Sequence, residues 1–155
     1  MHVTIKQPKT AEEFNNYYHL RWKLLRAPWN QPEGSEIDDI EDQCFHVMAV
    51  TYNEAIHNQS IDNEKVIGVA RLQFNSDSEA QIRYMAVEPS HERQGIGRRL
   101  LEALEVQAKT VSCQKVILDA REPAINFYQK FGFKIIEKSY LLFDEIQHFR
   151  MEKDI

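Results

Sequence analysis

Residues 82–101, I-R-Y-M-A-V-E-P-S-H-E-R-Q-G-I-G-R-R-L-L, decide how the rest of the chain reads. The stretch opens as the end of a strand. Over residues 80–87 the side chains alternate, with Ala80, Ile82, Tyr84 and Ala86 on one face and Gln81, Arg83, Met85 and Val87 on the other, the two-residue period of extended backbone. Glu88-Pro89 closes it. From Gly95 onward Ile96, Leu100 and Leu104, with Leu101, Ala103 and Ala108 beside them, follow the period of an amphipathic helix. Gln94-Gly95-Ile96-Gly97-Arg98 therefore stands where that helix begins. Glycines there let backbone N–H groups approach an anion, and the aligned peptide dipoles place about half a positive charge at the helix start. Arg93, Arg98 and Arg99 add charge of the same sign. Alone, the G-x-G is equally consistent with a tight turn or close helix packing. A dinucleotide site needs a third glycine three residues after Gly97, where this chain has Leu100. A nucleoside-triphosphate loop needs Gly-Lys-Ser/Thr, which is missing. A different phosphate-bearing cofactor remains.

Working outward, residues 3–6 read as a first strand, and Thr10 with Glu13 has the spacing of a capping box. The helix it starts carries Phe14, Tyr17, Tyr18, Arg21, Leu24 and Leu25 on one stripe, which core packing explains, and should end before Pro28. Residues 28–42 read as a loop with one helical turn across its acidic part. Strands are predicted at 45–52 and 66–74, antiparallel and joined by a polar hairpin loop at 53–65. Residues 115–120, Lys-Val-Ile-Leu-Asp-Ala, form a short continuous apolar run, the pattern of a central strand covered on both faces. Pro123 suits the first turn of a third helix, with Ala124, Phe127, Tyr128 and Phe131 on one face and Gly132 as a left-handed stop. Residues 133–143 and 146–153 close the chain as strands. The order β-α-β-β-β-α-β-α-β-β fits a mixed α/β sheet with helices on both faces.

A length of 155 residues favours one domain spanning 1–155. With 43% hydrophobic and 28% charged residues and only five Gly and five Pro, the composition excludes collagen-like, repeat and linker architectures. No stretch has the roughly 18 uninterrupted apolar residues of a membrane span, and the first nine residues lack a signal-peptide core. A cytoplasmic protein is expected. Cys44 and Cys113 have no metal-ligand spacing and read as packed thiols, and no metal site is expected. The formal net charge of −5 argues against a general nucleic-acid binder. Six carboxylates (Glu33, Glu36, Asp38, Asp39, Glu41 and Asp42) stand in one run without a basic residue. Such a run is usually a solvated face; its functional alternative is a field that gathers cationic acceptors.

Residues 82–101 resemble the GCN5-related N-acetyltransferase (GNAT) family, in which a strand leads through Q/R-x-x-G-x-G/A into a helix that holds the pyrophosphate of acetyl-CoA. One position departs: Glu92 stands where the family has Gln or Arg. The family's main phosphate donors are backbone N–H groups, so the resemblance accommodates it. A second match, A-x-x-F-Y-x-x-x-G-F, runs through Ala124, Phe127, Tyr128, Gly132 and Phe133. The resemblance implies an acyl-CoA N-acyltransferase fold, its mixed sheet splayed between the fourth and fifth strands with helices on both faces. It implies acetyl-CoA as co-substrate, with Met85, Ala86 and Val87 contacting the pantetheine arm through main-chain atoms. Arg93, Gln94, Gly95, Ile96, Gly97 and Arg98 would cradle the pyrophosphate, a main-chain N–H near residues 85–87 would polarise the thioester carbonyl, and Tyr128 would protonate the departing thiolate.

Without that motif, Tyr128 would read as a core aromatic. The general base stays open. In histone-acetylating relatives a Glu occupies the place of Gln81, which is no carboxylate; Glu79 through water, His46 and His148 are the candidates, each with a packed or solvated reading beside it. The expected activity is acetyl transfer to a primary amine on a small molecule or peptide, with no nucleic-acid or membrane partner; a homodimer is compatible with the sequence. A non-catalytic acyl-CoA-binding or sensing module is the alternative that Gln81 allows.

Overall fold

A computed structural model describes residues 2–52 and 64–155. The elements follow the expected order: β1 (Val3–Lys6), α1 (Ala11–Leu25), β2 (Phe45–Tyr52), β3 (Glu64–Phe74), β4 (Glu79–Val87), α2 (Ile96–Thr110), β5 (Lys115–Arg121), α3 (Ile125–Lys130), β6 (Lys134–Leu142) and β7 (Ile146–Asp154). Short 3-10 turns occupy Ala27–Trp29, Glu41–Gln43, Pro89–His91 and Glu122–Ala124. The hairpin loop expected at 53–65 falls outside the described residues except for 64 and 65, which already belong to β3. No helix among the described residues is long and apolar enough to cross a membrane.

The strands form one mixed sheet in the order β1-β2-β3-β4-β5-β7-β6. β1 pairs antiparallel with β2, β4 parallel with β5, and β7 antiparallel with both β5 and β6. A parallel pair needs a crossover connection, which the α2 segment supplies. The last hairpin turns at Phe143 and Asp144, whose φ angles of 53° and 54° are those a type I′ turn demands, with the Glu145 N–H donating to the Leu142 carbonyl at 3.1 Å.

Backbone contacts divide the chain into two compact units, Met1–Arg71 with Tyr84–Leu104, and Leu72–Arg83 with Glu105–Ile155. In the first unit, α1 starts from the expected capping box. The Glu13 N–H donates to the Thr10 hydroxyl at 3.0 Å, and the Thr10 N–H to the Glu13 carboxylate at 3.1 Å. Lys6 and the Thr10 and Lys9 N–H groups hold the Glu13 carboxyl down to about 2. The core gathers Tyr17 and Leu20 of α1 with Met48, Val50, Val66 and Val69. α2 buries Ile96, Leu100, Leu101 and Leu104, and its seat is a close approach to β3 at Gly68. A Cβ there would lie 3.0 Å from Leu100 Cδ1 and 3.3 Å from both Ile96 Cγ2 and Ala49 Cβ. Any larger residue would push the helix off the strand.

In the second unit, Glu79, Ala80, Gln81 and Ile82 pair with Lys115, Val116, Ile117 and Leu118. α3 ends in a Schellman cap: the Phe133 N–H donates to the Tyr128 carbonyl at 3.2 Å and the Gly132 N–H to the Gln129 carbonyl at 3.1 Å, with Gly132 at φ +94°. The Phe133 ring then packs edge-on against the Tyr128 ring at 5.7 Å, so the helix stop also fixes the tyrosine.

The strand read along residues 80–87 is present, within β4, but it is irregular at its centre. Burial alternates through Ala80 and Ile82 only, and Tyr84 then takes φ +54°. A left-handed residue thus interrupts the regular pleat of β4 at Tyr84, while the Tyr84 ring and Ala86 both pack toward residues of α1.

Candidate active site

Entry to α2 is built from backbone. Arg93 and Gly95 both lie in the left-handed region, at φ +62° and +79°, and α2 begins at the next residue, Ile96. Gly95 meets this requirement without strain, whereas Arg93 does not. The Arg99 N–H already bonds to the Gly95 carbonyl at 3.1 Å, so the amides of Ile96, Gly97 and Arg98 form the first turn, which lacks intrahelical acceptors. Turns of this kind concentrate N–H groups on an anion. Arg93, Gln94 and Arg98 are exposed, and Arg98 meets Glu102 at 3.6 Å among the described residues, so its charge lies at the surface. Ile96 is 2% exposed; its side chain is core, and only its N–H is free to serve an anion. Gly97 is half-buried as the second residue of the helix. These features fit a pyrophosphate.

Met85, Ala86 and Val87 lie in the same unit, half-buried, immediately past Tyr84. Left-handed φ at a tyrosine costs about 1–2 kcal/mol, and what surrounds the ring compensates. The Arg21 guanidinium carbon lies 4.3 Å from the Tyr84 ring centroid, that of Arg71 4.8 Å, and that of Arg26 5.5 Å. Contacts of this type are worth about 0.5–2 kcal/mol each once desolvated, so two of them balance the backbone cost. Arg21 and Arg71 are themselves 0% exposed and anchored. Arg21 Nη1 donates to the Glu41 carboxylate at 2.8 Å and the Glu36 carbonyl at 3.0 Å, and its Nη2 to the Tyr17 hydroxyl at 3.0 Å. Arg71 makes a two-pronged bond to Asp38 at 2.8 and 2.9 Å and meets Glu41 at 3.0 Å. Burial opposes both charges, but Tyr17 and Glu41 around Arg21, and Asp38 and Glu41 around Arg71, outweigh it and raise both pKa values.

Local sequence signals do not reveal this cluster. Arg71 interrupts an otherwise apolar strand and Arg21 an aromatic stripe; a lone arginine in each apolar pattern was the only trace. The acidic run is corrected by the same contacts: it is not one solvated face. Glu36 is buried with its carboxylate accepting from the Gly34 N–H at 2.8 Å, and Asp38 and Glu41 are neutralised by arginine, leaving Glu33, Asp39 and Asp42 exposed.

Among the candidate bases, His46 is buried in the first unit. Its Nδ1 lies 2.9 Å from the Tyr17 hydroxyl and its Nε2 2.7 Å from the Glu41 carbonyl. Burial pushes its pKa down; Nε2 donates to the Glu41 carbonyl, while the single proton of the Tyr17 hydroxyl, 3.0 Å from the Ala70 carbonyl and 2.9 Å from Nδ1, can serve only one of those two acceptors at a time. Both nitrogens are occupied by protein. In the second unit Glu79 accepts from Asn75 Nδ2 at 3.1 Å, as Gln81 does at 2.9 Å. His148 is 6% exposed, stacked on Tyr140 at 4.3 Å, with Nδ1 donating to the Ile146 carbonyl at 3.0 Å. Tyr128, also in the second unit, is 8% exposed between Phe127 and Phe133. Burial pushes its phenol up to about 12, so it keeps its proton throughout the neutral range. Burial likewise raises the thiols of half-buried Cys44 and buried Cys113, which favours their protonated form.

A seven-stranded mixed sheet whose parallel β4–β5 pair is joined through a crossover helix is the acyl-CoA N-acyltransferase architecture. The chain belongs to the acetyltransferase (GNAT) family, whose model matches residues 14–133, and is an acyltransferase. It is 28% identical over 146 residues to a Bacillus subtilis protein named as an uncharacterized N-acetyltransferase, YjcF, covering 94% of this chain and 96% of the other. A glucosamine 6-phosphate N-acetyltransferase of Trypanosoma brucei brucei is 36% identical over 136 residues, covering 84% of this chain and 88% of the other. The crystal structure of an aminoglycoside 6'-N-acetyltransferase complexed with coenzyme A superposes with a TM-score of 0.74 at 14% identity, covering 99% and 97%. The expected family and mixed α/β fold are both borne out.

Proposed function

We propose that the protein transfers the acetyl group of acetyl-CoA to a primary amine carried by a small molecule or peptide. The observation that carries this reading is the turn at Arg93 and Gly95 delivering the first amides of α2, which suits a pyrophosphate. Arg93, Gln94, Gly95, Ile96, Gly97 and Arg98 hold it, through N–H groups first and arginine charge second. Met85, Ala86 and Val87 receive the pantetheine arm along their main chain. The coenzyme A complex of a fold neighbour and the N-acetyltransferase relatives support this direction.

In the reaction the lone pair of a neutral amine attacks the thioester carbonyl carbon; the C–N bond forms, the C–S bond breaks, and sulfur leaves with the bonding pair. One amine proton is lost and the sulfur gains one, so the products are an amide and a free thiol. An N–H beside Tyr84 stabilises the charge that gathers on the carbonyl oxygen. Tyr128 is the proton donor to sulfur. A phenol near 12 is always in the donor form, while full transfer to a thiolate of ordinary pKa about 8.5 is uphill, so the hydroxyl acts first as a hydrogen-bond donor to the departing sulfur.

A thiol-release assay over a panel of amines tests the reading. Free thiol should appear only when acetyl-CoA and an amine are both present. Tyr128→Phe should keep CoA affinity and lower turnover about 10² to 10⁴-fold, the usual weight of general acid catalysis. A fully active Phe variant removes Tyr128 from the mechanism, and CoA binding without thiol release from any amine refutes the transfer.

A further inference from the structure

We infer that Arg21 and Arg71 are positioning residues for acyl transfer: gripping the Tyr84 ring, they hold residue 84 left-handed and thereby aim the Met85 N–H at the thioester carbonyl. The inference deepens the acetyl-transfer reading and rests on it. Regular strands alternate their N–H groups to left and right, so one left-handed residue turns the next amide out of the ladder direction. Tyr84 is such a residue, at φ +54°, and it immediately precedes Met85. Nothing in a tyrosine favours that conformation locally. What favours it is the pair of guanidinium groups at 4.3 and 4.8 Å from its ring. Neither arginine is free to follow the ring elsewhere, because Glu41 meets both and Asp38 fastens Arg71.

The arrangement links the 36–41 segment to the backbone at residue 85. Glu41 Oε2 accepts from Arg21 Nη1 and from the Asp38 N–H, and lies 3.0 Å from Arg71 Nη1, so a single carboxylate oxygen ties the segment to both clamps. Cation–π attraction needs the ring face and not the hydroxyl, which separates this role from one in which Tyr84 itself exchanges a proton.

The test is isotope-edited infrared spectroscopy of acetyl-CoA labelled with ¹³C at the acetyl carbonyl, bound without an acceptor, together with CoA affinity, thermal melting and steady-state rates. In the wild type the bound carbonyl band should lie below that of free acetyl-CoA, because a donor is aimed at it. Tyr84→Phe should keep that displacement. Tyr84→Leu should lose most of it and lower kcat at least 10-fold, with CoA affinity within about 3-fold of wild type. Arg71→Lys preserves the charge against Asp38 and Glu41 but not the planar stack, and should show a smaller displacement of the same kind; it also serves if the Leu variant melts early. An undiminished displacement in whichever of these two variants folds and binds overturns the inference, as does its loss in Tyr84→Phe, which would put the effect in the hydroxyl. Wild-type protein that binds acetyl-CoA with an undisplaced band refutes the positioning role alone, whereas failure to bind acetyl-CoA refutes the functional reading and this inference with it.

Discussion

Two regions of the first unit handle charge by opposite means. Residues 93–98 are largely exposed and act through backbone: two left-handed residues, a helix start and arginines reaching solvent. The group around Tyr84 is largely buried and acts through side chains drawn from positions 17, 21, 38, 41, 46 and 71. The first offers its donors outward; the second pairs its charges internally, although among the described residues Arg21 Nε and Glu41 Oε1 stay buried without a hydrogen-bond partner, and exports only a conformation. An anion site must keep amides free until the ligand arrives, while a clamp must spend every charge on its own geometry, since an unpaired buried charge is costly.

Breaking the clamp should cost the most. Arg71→Met leaves Asp38 without its two-pronged partner and removes one of the two arginines at Glu41; losing one member of a buried ion cluster is worth about 3–5 kcal/mol. Denaturant unfolding measures it, and Arg98→Met in the exposed turn provides the contrast, expected within about 0.5 kcal/mol of wild type. Equal losses would erase the distinction between the two regions.

Gly97→Val attacks the other side of the comparison. A β-branched side chain at the second residue of α2 intrudes where amides meet the pyrophosphate, so CoA binding should fall at least 10-fold while the melting temperature moves little. Calorimetry of CoA binding decides it; unchanged affinity in the folded variant would sink the assignment of this turn.

Acid sharpens the contrast more gently. His46 has a lowered pKa in the fold, so the unfolded chain binds its proton first, and stability from this residue falls as pH drops below about 6.5 toward the folded value. Glu13, held down to about 2, keeps its contribution until pH falls below its ordinary 4.5 and loses it between there and about 2. The melting temperature of wild type should therefore decline between about pH 7 and 5, with a shallower slope in His46→Asn; identical slopes would show that His46 does not enter the acid response.

The smallest effect belongs to the acidic run. Asp39→Asn with Asp42→Asn removes two exposed carboxylates and should change stability by less than about 0.5 kcal/mol. If their field gathers cationic amines, the apparent KM for those amines should rise at low salt and recover at high salt. No change across cationic and neutral amines would reduce this part of the run to surface charge.

What was legible in the sequence was local. The Thr10–Glu13 box, the strand runs, the helix opening at Ile96 and the stop at Gly132 each depend on contacts a few residues apart, which the order of side chains records directly. The turn proposed to hold an anion belongs to the same class, because the amides it offers come from consecutive residues. What only the tertiary structure decided was which distant side chains meet. Arg71 reaches Asp38 across 33 positions, Gly68 leaves the space into which Leu100 packs, and Tyr84 turns left-handed beside arginines from α1 and β3. Periodicity assigns a residue to a face but says nothing of its neighbour across the core. A buried charge is tolerated only where the fold brings its partner, so the clamp exists in the folded chain and in no single segment of it.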